Sequence, residues 1–334
     1  MRVPRGRGTT VLQYIIRRML WAAGMLILVL AAVFVIFFLL PGAAGKAGEG
    51  GVSPVAISMA GKNPRPEIVA NVEKRLGLDQ PIYVQFGRYL GNALQGDLGY
   101  SYQSNESVTT VIFRRLPPTV SLALGASVIW LVLGVSSGVI SALYRRSLTD
   151  RVSMFLALAG VSLPTFWLGL MAVFYFDSAL GIYETGEYEA FTSDPIGWAR
   201  TLWLPWLVLA ITYAALYTRM VRGNMLEVEG EDYIRTARAK GLRQRSVIRH
   251  QLRSALTPVV TMYGLDLGLL LGGAIITETV FNIPGIGSLT VDAIATSNLP
   301  VILGTTILAS AFVIFANLLV DIAYAALDPR VKYS

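Results

Sequence analysis

The sequence predicts an all-α polytopic membrane protein with six transmembrane helices, and three observations carry that prediction. Of the 334 residues, 54% are hydrophobic and only 15% charged, too apolar a balance for an ordinary soluble domain. Six runs are free or nearly free of charge, and each can hold the roughly 20 residues that a ~30 Å hydrocarbon core requires. Lysine and arginine are concentrated in alternate connections between those runs, which assigns the connections to opposite faces of a membrane.

The first span, residues 19–41, follows a basic segment, 1–18. Its apolar stretch is much longer than the roughly 7–15 residues of a signal-peptide core, so it is read as a retained helix. Segment 42–118 leads to the second span, 119–143, and a short turn containing Arg145, Arg146 and Arg151 leads to the third, 152–176. Connection 177–200 precedes the fourth span, 201–218, and connection 219–256 precedes the fifth, 257–281. The sixth span, 300–326, is followed by the tail 327–334. Segment 1–18, the 145–151 turn, the 219–256 connection and the tail hold 19 of the 28 basic residues, which assigns them and both termini to the cytoplasm. Arg114 and Arg115 run against this rule, but long loops translocate largely regardless of charge. The net charge of +7 therefore reflects orientation against membrane lipid and excludes nucleic acid as the partner it implies. With no cysteine, the chain has no disulfide, thiolate metal site or cysteine nucleophile.

Segment 42–118 is expected to begin irregularly, over the Gly- and Pro-rich residues 41–66, and then to become helical. Ile68, Val69, Val72 and Leu76 form one apolar face that Gly77 can terminate. Asp79 is placed to cap a second helix that starts near Pro81 and carries Ile82, Phe86, Tyr89, Leu90 and Ala93. The Gly96-Asp97-Leu98-Gly99-Tyr100 turn ends the unit, which is read either as a helical cap on the external mouth or as amphipathic helices lying on lipid headgroups. Asn105-Glu106-Ser107 matches a glycosylation sequon, a pattern short enough to arise by chance.

Connection 219–256 is charged, and its pattern divides in two. Glu229, Glu231 and Asp232 sit where a helix begins and Arg238 and Lys240 where it ends, matching the helix macrodipole, and Gly241 offers a left-handed stop. A second helix from about Gln244 into Leu256 has Val247, Ile248, Leu252, Ala255 and Leu256 on one face and Arg245, Arg249 and Arg253 on another. A charged, capped helix between two spans suggests a docking surface for another protein. The alternative is a basic amphipathic element on an anionic leaflet.

Tyr233-Ile234-Arg235-Thr236-Ala237-Arg238-Ala239-Lys240-Gly241-Leu242, with Val247, His250, Leu252-Arg253 and Ala255-Leu256-Thr257-Pro258 after it, resembles the "EAA" loop of permease subunits in bacterial ABC importers. Leu76-Gly77-Leu78-Asp79-Gln80-Pro81, Gly96 to Ser101, Leu116-Pro117, Leu163-Pro164-Thr165-Phe166, Gly272-Gly273-Ala274, Glu278-Thr279-Val280-Phe281, Pro284-Gly285-Ile286-Gly287 and Leu327-Asp328-Pro329-Arg330 extend the resemblance to the oligopeptide, dipeptide and nickel branch, first-permease ("B") type. It covers nearly the whole chain, apart from the first ~10 residues and a stretch near 42–66. The resemblance implies the type I ABC importer permease architecture in a bacterial plasma membrane and transport of peptides. It also implies a second homologous permease subunit, two ABC ATPase subunits that bind ATP and Mg, and an extracytoplasmic substrate-binding protein. Within it, Glu231, Asp232, Tyr233, Arg235, Thr236, Ala237, Arg238, Ala239, Lys240, Gly241, Leu242 and His250 are the expected ATPase-coupling residues. Ala237 and Ala239 are expected to permit close approach of the ATPase, and the charged residues to set its orientation.

No G-x-x-x-x-G-K-[ST] phosphate loop occurs, so the chain is expected to bind no cofactor and to leave ATP hydrolysis to its partners. His250 is the sole histidine and no catalytic set accompanies it, so the chain is not read as an enzyme. Within the fifth span, Asp266, Gly268, Gly272 and Glu278 are candidates for the translocation pathway. A carboxylate near the bilayer centre costs about 2.5–3.5 kcal/mol, so both acids should face protein or water. For Asp266 two readings stand side by side: a pathway residue that attracts a peptide amino group, or a buried hydrogen bond to a neighbouring helix. Glu278 is assigned to gate structure near the outer end of the span. Gly264, Gly268 and Gly272, and likewise Gly134 and Gly138, repeat at the spacing that lets helices approach closely. Asn317 and Asp321 are expected to form an interhelical hydrogen-bonded pair. The alternative function, a self-sufficient channel or secondary transporter, would call for paired repeats with broken helices or a coupling-ion site, and neither is evident.

Overall fold

A computed structural model describes residues 11–39, 53–60, 65–101, 103–185 and 188–327. Its helices are α1 (Val11–Phe34, ending in a π-turn Val35–Leu39), α2 (Pro54–Ala60), α3 (Pro66–Leu76), α4 (Ile82–Leu94), α5 (Val108–Leu143), α6 (Leu148–Ser162) and α7 (Thr165–Val173, ending in a π-turn Phe174–Ala179). Then come α8 (Pro195–Glu229), α9 (Asp232–Ala239), α10 (Gln244–Ala255), α11 (Thr257–Leu271), α12 (Ile275–Val280), α13 (Ile286–Thr296) and α14 (Leu299–Leu327). A two-stranded antiparallel hairpin, β1 (Tyr100–Ser101) and β2 (Glu106–Ser107), pairs Tyr100 with Ser107 and Ser101 with Glu106. Among the described residues four helices are long and apolar enough to cross a membrane, and two bent pairs, α6 with α7 and α10 with α11 (47°), bring the number to six when each pair counts as one span.

Two expected spans are broken, each for a local reason. The third bends by 95° between Ser162 and Thr165. Pro164 disfavours helical torsions at the residue before it, and Leu163 accordingly sits at φ −86°, ψ 126°. In the fifth, α11 stops at Leu271 because Gly273 adopts φ +125°, and a Cβ there would lie 2.9 Å from the Gly287 backbone. With 15 residues, α11 is about 22 Å long, short of a bilayer core, and the chain beyond Gly273 resumes as α12. The second and fourth expected spans lie inside longer helices, α5 and α8, of 36 and 35 residues.

The chain forms two compact units, one of residues 1–116, 271–273 and 286–334, the other of 117–270 and 274–285. In the first, Val33, Phe34 and Phe38 of α1 and its π-turn, Val55, Ala56 and Met59 of α2, Val69 and Val72 of α3 and Leu303 of α14 form one buried cluster. The rings of Phe34 and Phe38 stack at 4.9 Å, and Phe86 and Tyr89 of α4 pack against them. Residues 54–60, expected to be irregular, are helical here because Val55, Ala56 and Met59 reach this cluster. Gly77 stops α3 at φ +63°, with the Leu78 amide donating to Glu73 O. Asp79 does not cap α4: Pro81 holds that position, and the Asp79 carboxylate accepts instead from the Gln80 amide. Asp321 pairs across helices with Arg18 of α1 at 3.0 Å, where an arginine offers the carboxylate a charge-assisted bond.

In the second unit α8 is the most buried of the long apolar helices. Gly134 and Gly138 of α5 lie against it: added Cβ atoms would come within 2.6 Å of Tyr217 Cβ and 2.7 Å of Val221 Cβ. Gly160 of α6 is equally close to Ala215. Small residues therefore set these interhelical distances. Trp130 is fully buried among Tyr213, Tyr217 and Tyr263.

Candidate functional site: a capped helix pair and two buried acids

The pair α9 and α10 is built from few apolar residues. Ile234 and Ala237, one helical turn apart on α9, meet Val247 of α10, with Val228 of α8 beside them. The first two are 0% and 8% exposed, so Ala237 faces the pair's interior and not the exposed side of α9. That corrects the expectation for Ala237. Ala239 remains outward, as do Glu231, Asp232, Tyr233, Arg235, Thr236, Arg238, Lys240, Gly241, Leu242 and His250.

The end of α9 is fixed by two backbone bonds. The Leu242 amide donates to Ala237 O at 3.2 Å and the Gly241 amide to Arg238 O at 2.9 Å, the double bond of a Schellman stop, with Gly241 at φ +72°. Side chains then tie the pair together and to α8. The Tyr233 hydroxyl donates to Ser254 Oγ (2.8 Å), Arg238 pairs with Glu229 (2.8 Å) and Asn224 Nδ2 donates to Ala255 O (3.0 Å). Glu231 occupies the cap position of α9 without a side-chain hydrogen bond, and Asp232 opens its first turn. The result is a stiff, solvent-facing helix.

A buried ion pair that carries no motif joins α6 to α8 upstream of α9. Asp150, in the first turn of α6, accepts two bonds from Arg222 of α8, at 2.7 and 3.0 Å, one from Ser141 of α5 and one from the Arg146 amide. Asp150 is buried, and three helices converge on its carboxylate. The only local signal was a capping serine, Ser147, whose side chain accepts from the Asp150 amide.

Asp266, on α11, is buried, and its carboxylate accepts a hydrogen bond of 2.7 Å from the Tyr217 hydroxyl of α8. Tyr217 was also not identified from sequence, because its partner lies 49 residues away. Gly268 is buried in α11, while Gly272 lies just beyond the helix end. Glu278 is fully buried on α12 and accepts from Thr119 of α5 at 2.8 Å. Its carboxylate lies against Gly285, where an added Cβ would displace it. Asp266 and Glu278 thus have different partners, Tyr217 and Thr119. Among the described residues, no group of three or more His, Cys, Asp or Glu could hold a metal ion.

Helices long and apolar enough to cross a membrane, with a charged, capped helix in one connection, define a helical polytopic membrane protein. The family described as "binding-protein-dependent transport system inner membrane component" matches residues 131–333, and its N-terminal counterpart matches residues 11–123. A Brucella abortus (strain 2308) protein named as a peptide transport system permease is 41% identical over 320 residues, covering 96% of this chain and 98% of its own. The glutathione transport system permease protein GsiC of Escherichia coli O6:H1 is 39% identical over 324 residues, covering 96% and 99%. The chain belongs to this family of binding-protein-dependent inner membrane components, as an ABC importer permease of the peptide and nickel branch. It is a multi-pass inner membrane protein, a transport rather than a catalytic subunit, and it works in a complex with other subunits.

Proposed function

We propose that this chain forms half of the pathway by which an ATP-driven importer carries di- or oligopeptides, with residues 231–242 as its coupling element. The observation that carries the reading is the α9 helix: closed at Gly241, fixed to α8 through Arg238 and Glu229, and exposed along its polar side. A docked partner that shifts such a helix moves α8 with it, as a rigid-body switch requires. The partners are two ATPase subunits that hold ATP and Mg, a second homologous permease subunit and an extracytoplasmic substrate-binding protein. The chain itself binds no cofactor. Connection 219–256 and both termini face the cytoplasm, supported by the excess of basic residues in these segments. The peptide substrate is supported by relatives named for peptide and glutathione transport.

The test is ATP-coupled peptide uptake by the reconstituted complex. Gly241→Pro cannot adopt φ +72° and removes the amide bonded to Arg238 O, so it should abolish uptake while membrane insertion persists. Normal uptake by this variant would refute the coupling role, as would an active preparation of the chain alone. Mass spectrometry of ligands retained by the binding protein checks the substrate. Asp266 is proposed to act as an α8–α11 link through Tyr217. Asp266→Asn should then change uptake of cationic and neutral peptides alike, and a selective loss of cationic ones would reassign it to the pathway.

A further inference from the structure

We infer that the first unit holds a site for one acyl chain of an anionic phospholipid, in the cavity enclosed by the end of α1, α2, α3, α4 and the start of α14. The cavity has a volume of about 80 Å³. Since one water needs only about 10–15 Å³ by this measure, it has room for several waters or for the end of a hydrocarbon chain. Its walls are apolar, with Phe38, Met59, Val72, Leu76, Leu303 and Ile307 among them. An alkyl chain fits this apolar part of the lining, which Gln85, Asn92 and Asp97 interrupt with polar groups. The first and last long apolar helices of the chain supply two of these walls, so lipid chains are the apolar molecules at hand.

Polar groups in the lining specify the other end of the ligand. The Tyr89 hydroxyl is buried and has no hydrogen-bond partner among the described residues. Leaving such a group unsatisfied is unfavourable, and an ester or phosphate oxygen at this point would give it an acceptor. Arg75 is held between the Asp97 carboxylate, at 3.3 Å, and the face of the Tyr100 ring, at 5.9 Å. Arg88 is exposed, lies across Gly77 and is in no ion pair among the described residues. Two guanidinium groups against one carboxylate leave a net positive rim, and guanidinium is the side chain best matched to phosphate. An apolar tail joined to an anionic head is the chemistry that satisfies floor, hydroxyl and rim together.

The experiment is native mass spectrometry of the intact permease complex released from nanodiscs of phosphatidylglycerol or phosphatidylcholine. The wild type should retain phosphatidylglycerol about tenfold more than phosphatidylcholine. Arg88→Gln, at an exposed position, should lower that retention to the phosphatidylcholine level, and Leu303→Trp, which fills the cavity, should abolish both. Equal retention of the two lipids by the wild type would overturn the proposal, as would unchanged phosphatidylglycerol retention in Arg88→Gln. Because Arg88→Gln leaves the exposed surface of α9 untouched, this readout is independent of peptide uptake.

Discussion

The two helix pairs that interrupt the spans, α3 with α4 and α9 with α10, use the same local code and receive different tertiary support. Each pair has a first helix stopped by a left-handed glycine, Gly77 or Gly241, and each presents apolar residues at helical spacing. The α3–α4 pair packs on an aromatic cluster that includes Phe34 and Phe38 of the first span. The α9–α10 pair has Ile234, Ala237 and Val247 as its buried cluster, α10 also buries Gln251 and Ala255, and polar bonds complete the attachment. Burial of apolar surface is what makes a unit cooperative, so the first pair has the larger apolar support and the second, on the proposed reading, serves as the lever.

The largest effect that separates the two pairs is expected from Ala237→Glu. A carboxylate placed in a three-residue cluster undocks α9, so uptake should be lost while the unfolding free energy of the whole chain changes by no more than about 1 kcal/mol. A matching loss of global stability would show that the pair is no separate lever. Next comes Phe34→Ala, which should cost about 3–5 kcal/mol in chemical or thermal unfolding in detergent, since it opens a cavity in the aromatic cluster. A third contrast is Gly77→Ala against Gly241→Ala. Both should cost about 1 kcal/mol from the left-handed backbone, but nothing lies within 4 Å of an added Cβ at 241, whereas at 77 it displaces the Arg88 guanidinium. Gly77→Ala alone should therefore reduce anionic lipid retention in native mass spectra. The smallest effect is expected from Arg238→Ala, which breaks a half-exposed pair with Glu229. It should cost below about 1 kcal/mol, visible mainly as faster amide hydrogen exchange in α9.

How far the fold was legible in the sequence depends on the distance over which each feature is decided. The stops at Gly77 and Gly241 are settled by neighbouring residues and could be read directly. The breaks after Ser162 and Leu271 were also written locally, in Leu163-Pro164 and Gly272-Gly273, but an apolar run signals a span without showing whether its helix is straight. Ala237 went the other way. Its small size suggested an approach site for a partner, and only the presence of Val247 across from it shows which way it points. Asp150 and Arg222 carried no sequence signal of pairing at all, being 72 residues apart on different helices.

By itself the sequence determined that this is a helical membrane chain, where its apolar runs lie, and that a capped, charged helix falls between the fourth and fifth of them. Those properties follow from hydropathy, helical periodicity and backbone torsion, which act over a few residues. The tertiary structure decided which face of α9 is turned inward, that Tyr217 holds Asp266 and Thr119 holds Glu278, and that a cavity opens beneath Arg75 and Arg88. Each of these depends on packing between segments far apart in the chain, and that packing is fixed only when the helices meet.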